Sequence, residues 1–176
     1  MAKRIIVKVP DPILAKKCRE VDKFDERLWT LLDDMKDTVK AANGAGLAAP
    51  QVAVLKRVCV VDTDDGYFEL INPVITSQSG EQTGLEGCLS VPKKYGEVTR
   101  PMKVKVTALD RFGKEQKYKV EGFTARAFCH EIDHLDGVLF KDNATHMLSE
   151  KEKELDEKVT KIMMVIPNII DPSVPI

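Results

Sequence analysis

Long apolar runs are missing from this chain. The longest fall far short of the roughly 20 residues that a membrane-spanning helix needs, and the N-terminal MAKRIIVKVPDP is broken by charge and proline after a few residues. The start therefore lacks the apolar centre of a signal peptide, and the sequence reads as that of a mature cytoplasmic protein. A basic excess is missing too: 27 lysines and arginines stand against 28 acidic residues, a net charge of −1. Nucleic-acid binding normally shows as such an excess, so no nucleic-acid partner is expected. Cysteine is sparse, at positions 18, 59, 88 and 129, with no CxxC pair. That spacing gives no disulfide framework in a reducing compartment, where most such thiols are small buried hydrophobes. Internal repeats and low-complexity linkers are absent as well. Histidine is scarcer still, with three in 176 residues.

What is present suffices for one domain with its own core. Apolar residues make up 43% and charged residues 31%, the balance of a soluble globular chain. KFDERLWTLLDDMKDTVKAANG predicts a helix: Asp25 can cap it, Leu28, Leu31, Leu32, Met35 and Val39 recur at helical spacing, and Asn43-Gly44 can end it. RVCVVDTDDGYFELINPVI reads as strand, Asp65-Gly66 turn, strand, and KVKVTALDRFGKEQKYKVEGF as a hairpin bending near Arg111-Phe112-Gly113. A second helix is expected from about Thr124 to Gly137. A last one opens on the capping box Ser149-x-x-Glu152, with Leu155, Val159, Ile162 and Ile166 on one face. The proline-rich tail, about residues 167–176, should be extended. Strands in a block between helices predict an α+β fold with antiparallel sheets.

Two of the three histidines fall in CHEIDHLDG. In a helix, His130 and His134 stand one above the other, so both imidazoles can reach one cation. Glu131 is rotated by roughly 100° from His130, which keeps it from the same ion but leaves it within reach of a water beside it. HExxH thus separates ligands from base by geometry. The alternative is a charged stretch with coincidental histidines. It is disfavoured because the surrounding residues, Phe123, Ala125, Ala127, Phe128, Ile132 and Leu135, mark a helix that is buried on most sides. Unpartnered polar groups there would cost several kcal/mol. The third ligand is open at this point. Phe140 stands where a metzincin protease would carry its third histidine, which excludes that class. A thermolysin-like protease would use a downstream glutamate, for which Glu150, Glu152, Glu154 and Glu157 are candidates. Cys88, in LEGCLSVP, is the upstream candidate, since thiolate suits divalent iron or zinc.

Three strings together, GAGLAAPQ (44–51), EGCLS (86–90) and HEIDHLDG (130–137), resemble peptide deformylases, and the resemblance covers roughly residues 4–148. It implies antiparallel sheets around a central helix carrying HExxH, with an N-terminal and a C-terminal helix, the whole of 1–176 forming one catalytic domain. It implies a metallohydrolase that removes the N-formyl group from the initiator methionine of new peptides and releases formate. Carried over by position, Cys88, His130 and His134 are the metal ligands, Glu131 is the general acid/base, and Gln51 with the Leu89 backbone N–H forms the oxyanion hole. The metal would be Fe²⁺, with Zn²⁺, Ni²⁺ or Co²⁺ as substitutes. The partners would be N-formylmethionyl peptides and ribosome-associated nascent chains. Gly44, Ala45 and Gly46 would lie along the peptide, which docks as an added strand, and Phe128 and Leu89 near its methionine side chain. Ala45 stands where the family usually has Val or Ile, implying a slightly roomier pocket. Cys129 stands where the family usually has Gln; it is expected to face the sheet, away from the ligands. Glu86 and Arg100 are expected to pair and brace the cysteine segment. Two rival readings remain at this level: a zinc protease using a downstream glutamate, and a binding protein with a closed structural site for which Cys129 is the nearby fourth ligand.

Overall fold

Helix α1 (Glu26–Ala41) begins where the Asp25 carboxylate accepts a hydrogen bond from the Leu28 N–H, 3.3 Å. It ends where Asn43 turns left-handed, at φ 57°, and the Gly44 N–H returns to the Val39 carbonyl. Leu28, Leu31, Leu32, Met35 and Val39 are all buried, as their spacing predicts. The computed structural model describes residues 3–149.

Eight strands follow or flank the helices: β1 (Gly46–Ala48), β2 (Val58–Thr63), β3 (Gly66–Ser79), β4 (Gln82–Cys88), β5 (Val91–Arg100), β6 (Lys103–Leu109), β7 (Glu115–Glu121) and β8 (His146–Ser149). They form two antiparallel sheets, one in the order β1-β2-β3-β6-β7 and one in the order β4-β5-β8. On β6, Val104, Val106 and Ala108 turn inward while Lys103 and Lys105 stay exposed, the alternation expected of a sheet with one wet face. Both hairpins anticipated from the sequence are present, as β2–β3 and β6–β7.

Helix α2 (Gly122–Leu135) packs on β1, β2 and β7 of the larger sheet and touches β5 of the smaller one. It starts two residues before Thr124, at the left-handed Gly122, whose N–H bonds the Met102 carbonyl. Gly137 stops it at φ 76°, in a place where a Cβ would sit 2.4 Å from the Ala15 carbonyl oxygen. A single turn, α3 (Phe140–Asn143), leads into β8. The α+β class and antiparallel pairing are as expected. Ser149 ends β8, while Glu152, the last helix and the extended tail lie outside the described residues. Among the described residues, no helix is long and apolar enough to cross a membrane.

Candidate metal centre

Residues from two elements converge between the sheets. Cys88 is the last residue of β4, and the chain reverses at once through Leu89-Ser90 so that Cys88 faces Val91 on β5. His130 and His134 come from successive turns of α2. The ligand atoms of Cys88, His130 and His134 all lie within 4.8 Å of one another, and all three residues are buried. Cys88 Sγ is 3.4 Å from His134 Nε2, and the two imidazole centroids are 5.0 Å apart. Phe140 stacks on the His130 ring with an interplanar angle of 23°.

The first histidine of the cluster is held from behind. His130 Nδ1 lies 2.9 Å from Glu86 Oε1, the carboxylate partner that metal-binding histidines usually have on their far nitrogen. Glu86 is itself saturated: Arg100 donates to both of its oxygens, at 2.9 Å each, and Arg126 to Oε2 at 2.7 Å. Burial alone would raise the Glu86 carboxyl, but hydrogen bonds from Arg100 and His130 outweigh it and hold the group far below the usual carboxylate range. Arg100 also donates to Asp133 on α2. The expected Glu86–Arg100 brace is therefore present, within a larger network.

Gln51 is fully buried in a short 3₁₀ turn, Ala49–Val52. Its Oε1 accepts from the Ala48 N–H at 2.9 Å, which turns its amide nitrogen toward Ser90 Oγ at 3.0 Å and Cys88 Sγ at 3.6 Å. Leu89 is 6% exposed, in the turn directly after the cysteine.

Glu131 presents the opposite case to Glu86. It is fully buried, and neither carboxylate oxygen has a hydrogen-bond partner among the described residues. Burial, then the charge of Glu86, pushes its carboxyl well above the ordinary value. Gly46 makes its position possible, since a Cβ there would lie 2.5 Å from Glu131 Oε2 and 2.8 Å from its Cγ. His130 Nε2 and His134 Nδ1 are also buried without partners. Burial, then the charge of His130, pushes His134 well below its usual value and keeps it neutral. Cys88 is pushed up by burial and next by Glu131, against backbone N–H donors from Ser90 and Val91.

Buried polar atoms are nearly always paired, so orphans gathered around one sulfur and two imidazoles mark a place built for something else. One thiol and two neutral imidazoles suit a divalent transition metal, and three protein donors leave a coordination position open. Coordination would also reverse the balance on Cys88, because a metal-bound thiol gives up its proton.

The other expected residues are placed as follows. Gly44 closes α1, and Ala45 is buried with its carbonyl accepting from the Asp62 N–H. Gly46 opens β1, an edge strand of the larger sheet. Phe128 is fully buried, edge-on to Phe68 and Tyr118 in the apolar cluster beside that sheet. Cys129 lies in the same apolar cluster, apart from the Cys–His–His group, and burial pushes its thiol up to about 11. Glu150, Glu152, Glu154 and Glu157 lie outside the described residues. Sequence reasoning missed Ser90, Asp133, Phe140 as a ring support, and above all Arg126. The last left a signal: it is a full charge in an apolar helix, four residues before His130.

Known proteins match this chain over most of its length. A family model described as polypeptide deformylase matches residues 3–153. Over 154 residues the chain is 57% identical to the peptide deformylase of Caldicellulosiruptor bescii, spanning 88% of this chain and 93% of that one. It is 56% identical to that of Acetivibrio thermocellus, over 88% of this chain and 91% of the other. Among solved structures, peptide deformylase from Thermotoga maritima superposes with a TM-score of 0.81 at 37% identity, covering 83% of this chain and all of its own. The actinonin-bound enzyme of Acinetobacter baumannii gives 0.78 at 34% identity, over 82% and 100%. Identity above one half across nine-tenths of a relative is far beyond a shared fold, and this chain belongs to the polypeptide deformylase family.

Proposed function

We propose that Cys88, His130 and His134 hold one divalent metal in this deformylase, Fe²⁺ in the native protein with Zn²⁺, Ni²⁺ or Co²⁺ able to replace it, and that Glu131 is its general acid/base. The reaction is hydrolysis of the N-formyl amide at the start of a new polypeptide, giving formate and a free amino terminus. One observation carries the reading of the site: three buried donor atoms within 4.8 Å of one another, beside a buried glutamate with no partner.

When bound, the metal supplies a Lewis acid that makes water nucleophilic near neutral pH. Glu131 takes the proton of the attacking water and delivers it to the leaving amine, so the carboxyl ends as it began. Its burial favours that exchange, because a raised carboxyl makes the Glu131 carboxylate a stronger base toward water than an ordinary one, and brings its protonation closer to balance at the operating pH. The oxyanion that forms on the formyl carbon needs donors already in place, each worth about 2.7–4 kcal/mol. Gln51 Nε2 and the Leu89 N–H fill that role. Gln51 Nε2 lies 3.6 Å from Cys88 Sγ and 3.0 Å from Ser90 Oγ, so its amide is already aimed at the cysteine of the cluster. The peptide pairs along Gly44, Ala45 and Gly46, where β1 leaves an unpaired edge. Its methionine side chain lies toward Leu89 and the apolar side of α2 that includes Phe128. The enzyme works in the cytoplasm on chains leaving the ribosome, the place where formylated amino termini arise.

The test combines product mass, formate release and elemental analysis on anaerobically purified protein. Formyl-Met peptides should lose about 28 Da, CO for the exchange of formyl for hydrogen, while unformylated peptides stay intact. Cleavage inside the peptide would instead support the protease reading. Cys88→Ser should purify with well under half of the wild-type metal content; unchanged content would remove Cys88 from the ligand set.

A further inference from the structure

Arg126 has no counterpart in the roles given so far. It is fully buried in α2, at the same helical face as His130 and His134 because 126, 130 and 134 are spaced by four. Its Nη1 donates to Glu86 Oε2 at 2.7 Å and to the Val98 carbonyl at 3.1 Å, and its Nη2 to the Gln82 carbonyl at 3.3 Å. Gly84 on β4 passes close by: a Cβ there would lie 3.4 Å from Nη2. One guanidinium thus joins the histidine helix to both β4, which ends in Cys88, and β5. Glu86, held at Oε2 by Arg126 and at both oxygens by Arg100, presents Oε1 to His130 Nδ1.

We infer that Arg126 is a positioning residue of the metal centre: with Arg100, which shares Oε2 with it, Arg126 clamps Glu86, so that Glu86 fixes the His130 ring with Nε2 turned toward Cys88 and His134. Arg100 reaches Glu86 from β5 and Asp133 from its other branch. Without Arg126, Arg100 is the one guanidinium left on the carboxylate, which can then follow that side chain. A planar fork making three bonds to two strands is what a lysine cannot replace. The inference rests on the reading that Cys88, His130 and His134 bind the metal, and it assigns a job to a residue that touches none of them.

The experiment is a double-mutant cycle read by Co²⁺ affinity, measured by chelator competition and by the visible spectrum of the Co²⁺ protein. In the wild-type background, Arg126→Met should weaken Co²⁺ binding about tenfold, the lower end of what such supporting partners are worth. In the Glu86→Gln background, where the carboxylate that the two guanidinia clamp is gone, the same change should alter affinity less than about twofold. Arg126→Lys should fall between wild type and Arg126→Met, with a shifted visible band. Equal losses in both backgrounds would mean that Arg126 supports the fold without acting through Glu86, and would overturn the inference. So would no loss in either. If Arg126→Met does not fold, the Glu86→Gln/Arg126→Met protein, with both buried charges gone, and Arg126→Lys still close the comparison. Failure of the wild-type protein to bind Co²⁺ would instead overturn the metal reading, and this inference with it.

Discussion

Two fully buried glutamates stand on either side of His130, and the fold treats them in opposite ways. Glu86 receives Arg100 twice, Arg126 once and His130 once, and its carboxyl is held far down. Glu131 receives no hydrogen bond from the described residues, and burial pushes its carboxyl far up. A protein that can supply two arginines to one carboxylate could have satisfied the other. The difference is a division of labour. A saturated carboxylate cannot exchange protons and serves as a fixed strut. A starved one is destabilising by itself, and that same lack of partners leaves it free to exchange protons. A cation beside Glu131 would offset part of the cost, since an opposite charge favours the ionised form.

That contrast can be broken most sharply at Glu131. Glu131→Gln should lower kcat/KM for a formyl-Met peptide by 10³-fold or more, within reach of what general acid/base groups contribute, while metal content by elemental analysis stays at the wild-type level. Thermal unfolding of the metal-free variant should occur at or above the wild-type temperature, because an amide costs less to bury than an unpaired carboxylate. Turnover within tenfold of wild type would remove Glu131 from the base role.

The mirror experiment at Glu86 should reverse the pattern. Glu86→Gln leaves Arg100 and Arg126 buried with one partner fewer, and breaking a buried charge network of this kind costs about 3–5 kcal/mol. Denaturant unfolding should show that loss. If the variant is as stable as wild type, Glu86 is not the strut described here.

Gly46 packs Glu131 against β1, the edge strand proposed to take the peptide. Gly46→Ala places a methyl where Glu131 Oε2 and Cγ already are, so the carboxylate must shift. A displacement on the order of 1 Å in a catalytic group can cost about 10²-fold. The expected outcome is a kcat loss of that size with metal content preserved. Full activity would show that Glu131 has room the present packing does not suggest.

The smallest effect is on pH dependence. The folded Glu86 carboxyl is depressed below its ordinary value of 4.5, so its contribution is fully present above that value and is lost as pH falls toward the folded value. The metal-free wild-type protein should lose stability more steeply below about pH 4.5 than Glu86→Gln, which has no proton to take up there. Parallel acid-unfolding curves would contradict the depressed carboxyl.

Helix α1 shows how much could be read directly. Its cap, stripe and stop are local features, and the structure places Asp25, the five buried apolar residues and Asn43 as the spacing requires. The β6–β7 hairpin is of the same kind, with alternation on both arms. The β4–β5 hairpin was not anticipated, and the pairing of β5 with β8 was not legible, because strand partners far apart in sequence are chosen by packing. At the site, HExxH gave two candidate ligands and a candidate base from one stretch of helix, whereas Cys88 stood as one candidate among several until the resemblance of its string favoured it. Arg126 was passed over because a charge in an apolar helix has no meaning until the carboxylate that meets it, forty residues away, is known.

The residue types and the i, i+4 spacing by themselves determined that two imidazoles would share a helix face, with an acid turned aside from them. Those are consequences of helical geometry, and they hold wherever the helix is placed. Only the tertiary structure decided that β4 would end its cysteine against that face, that two guanidinia would converge on Glu86, and that Glu131 would be left alone against Gly46. Such choices depend on which groups share a dry interior, where each polar atom must find a partner or be kept for chemistry.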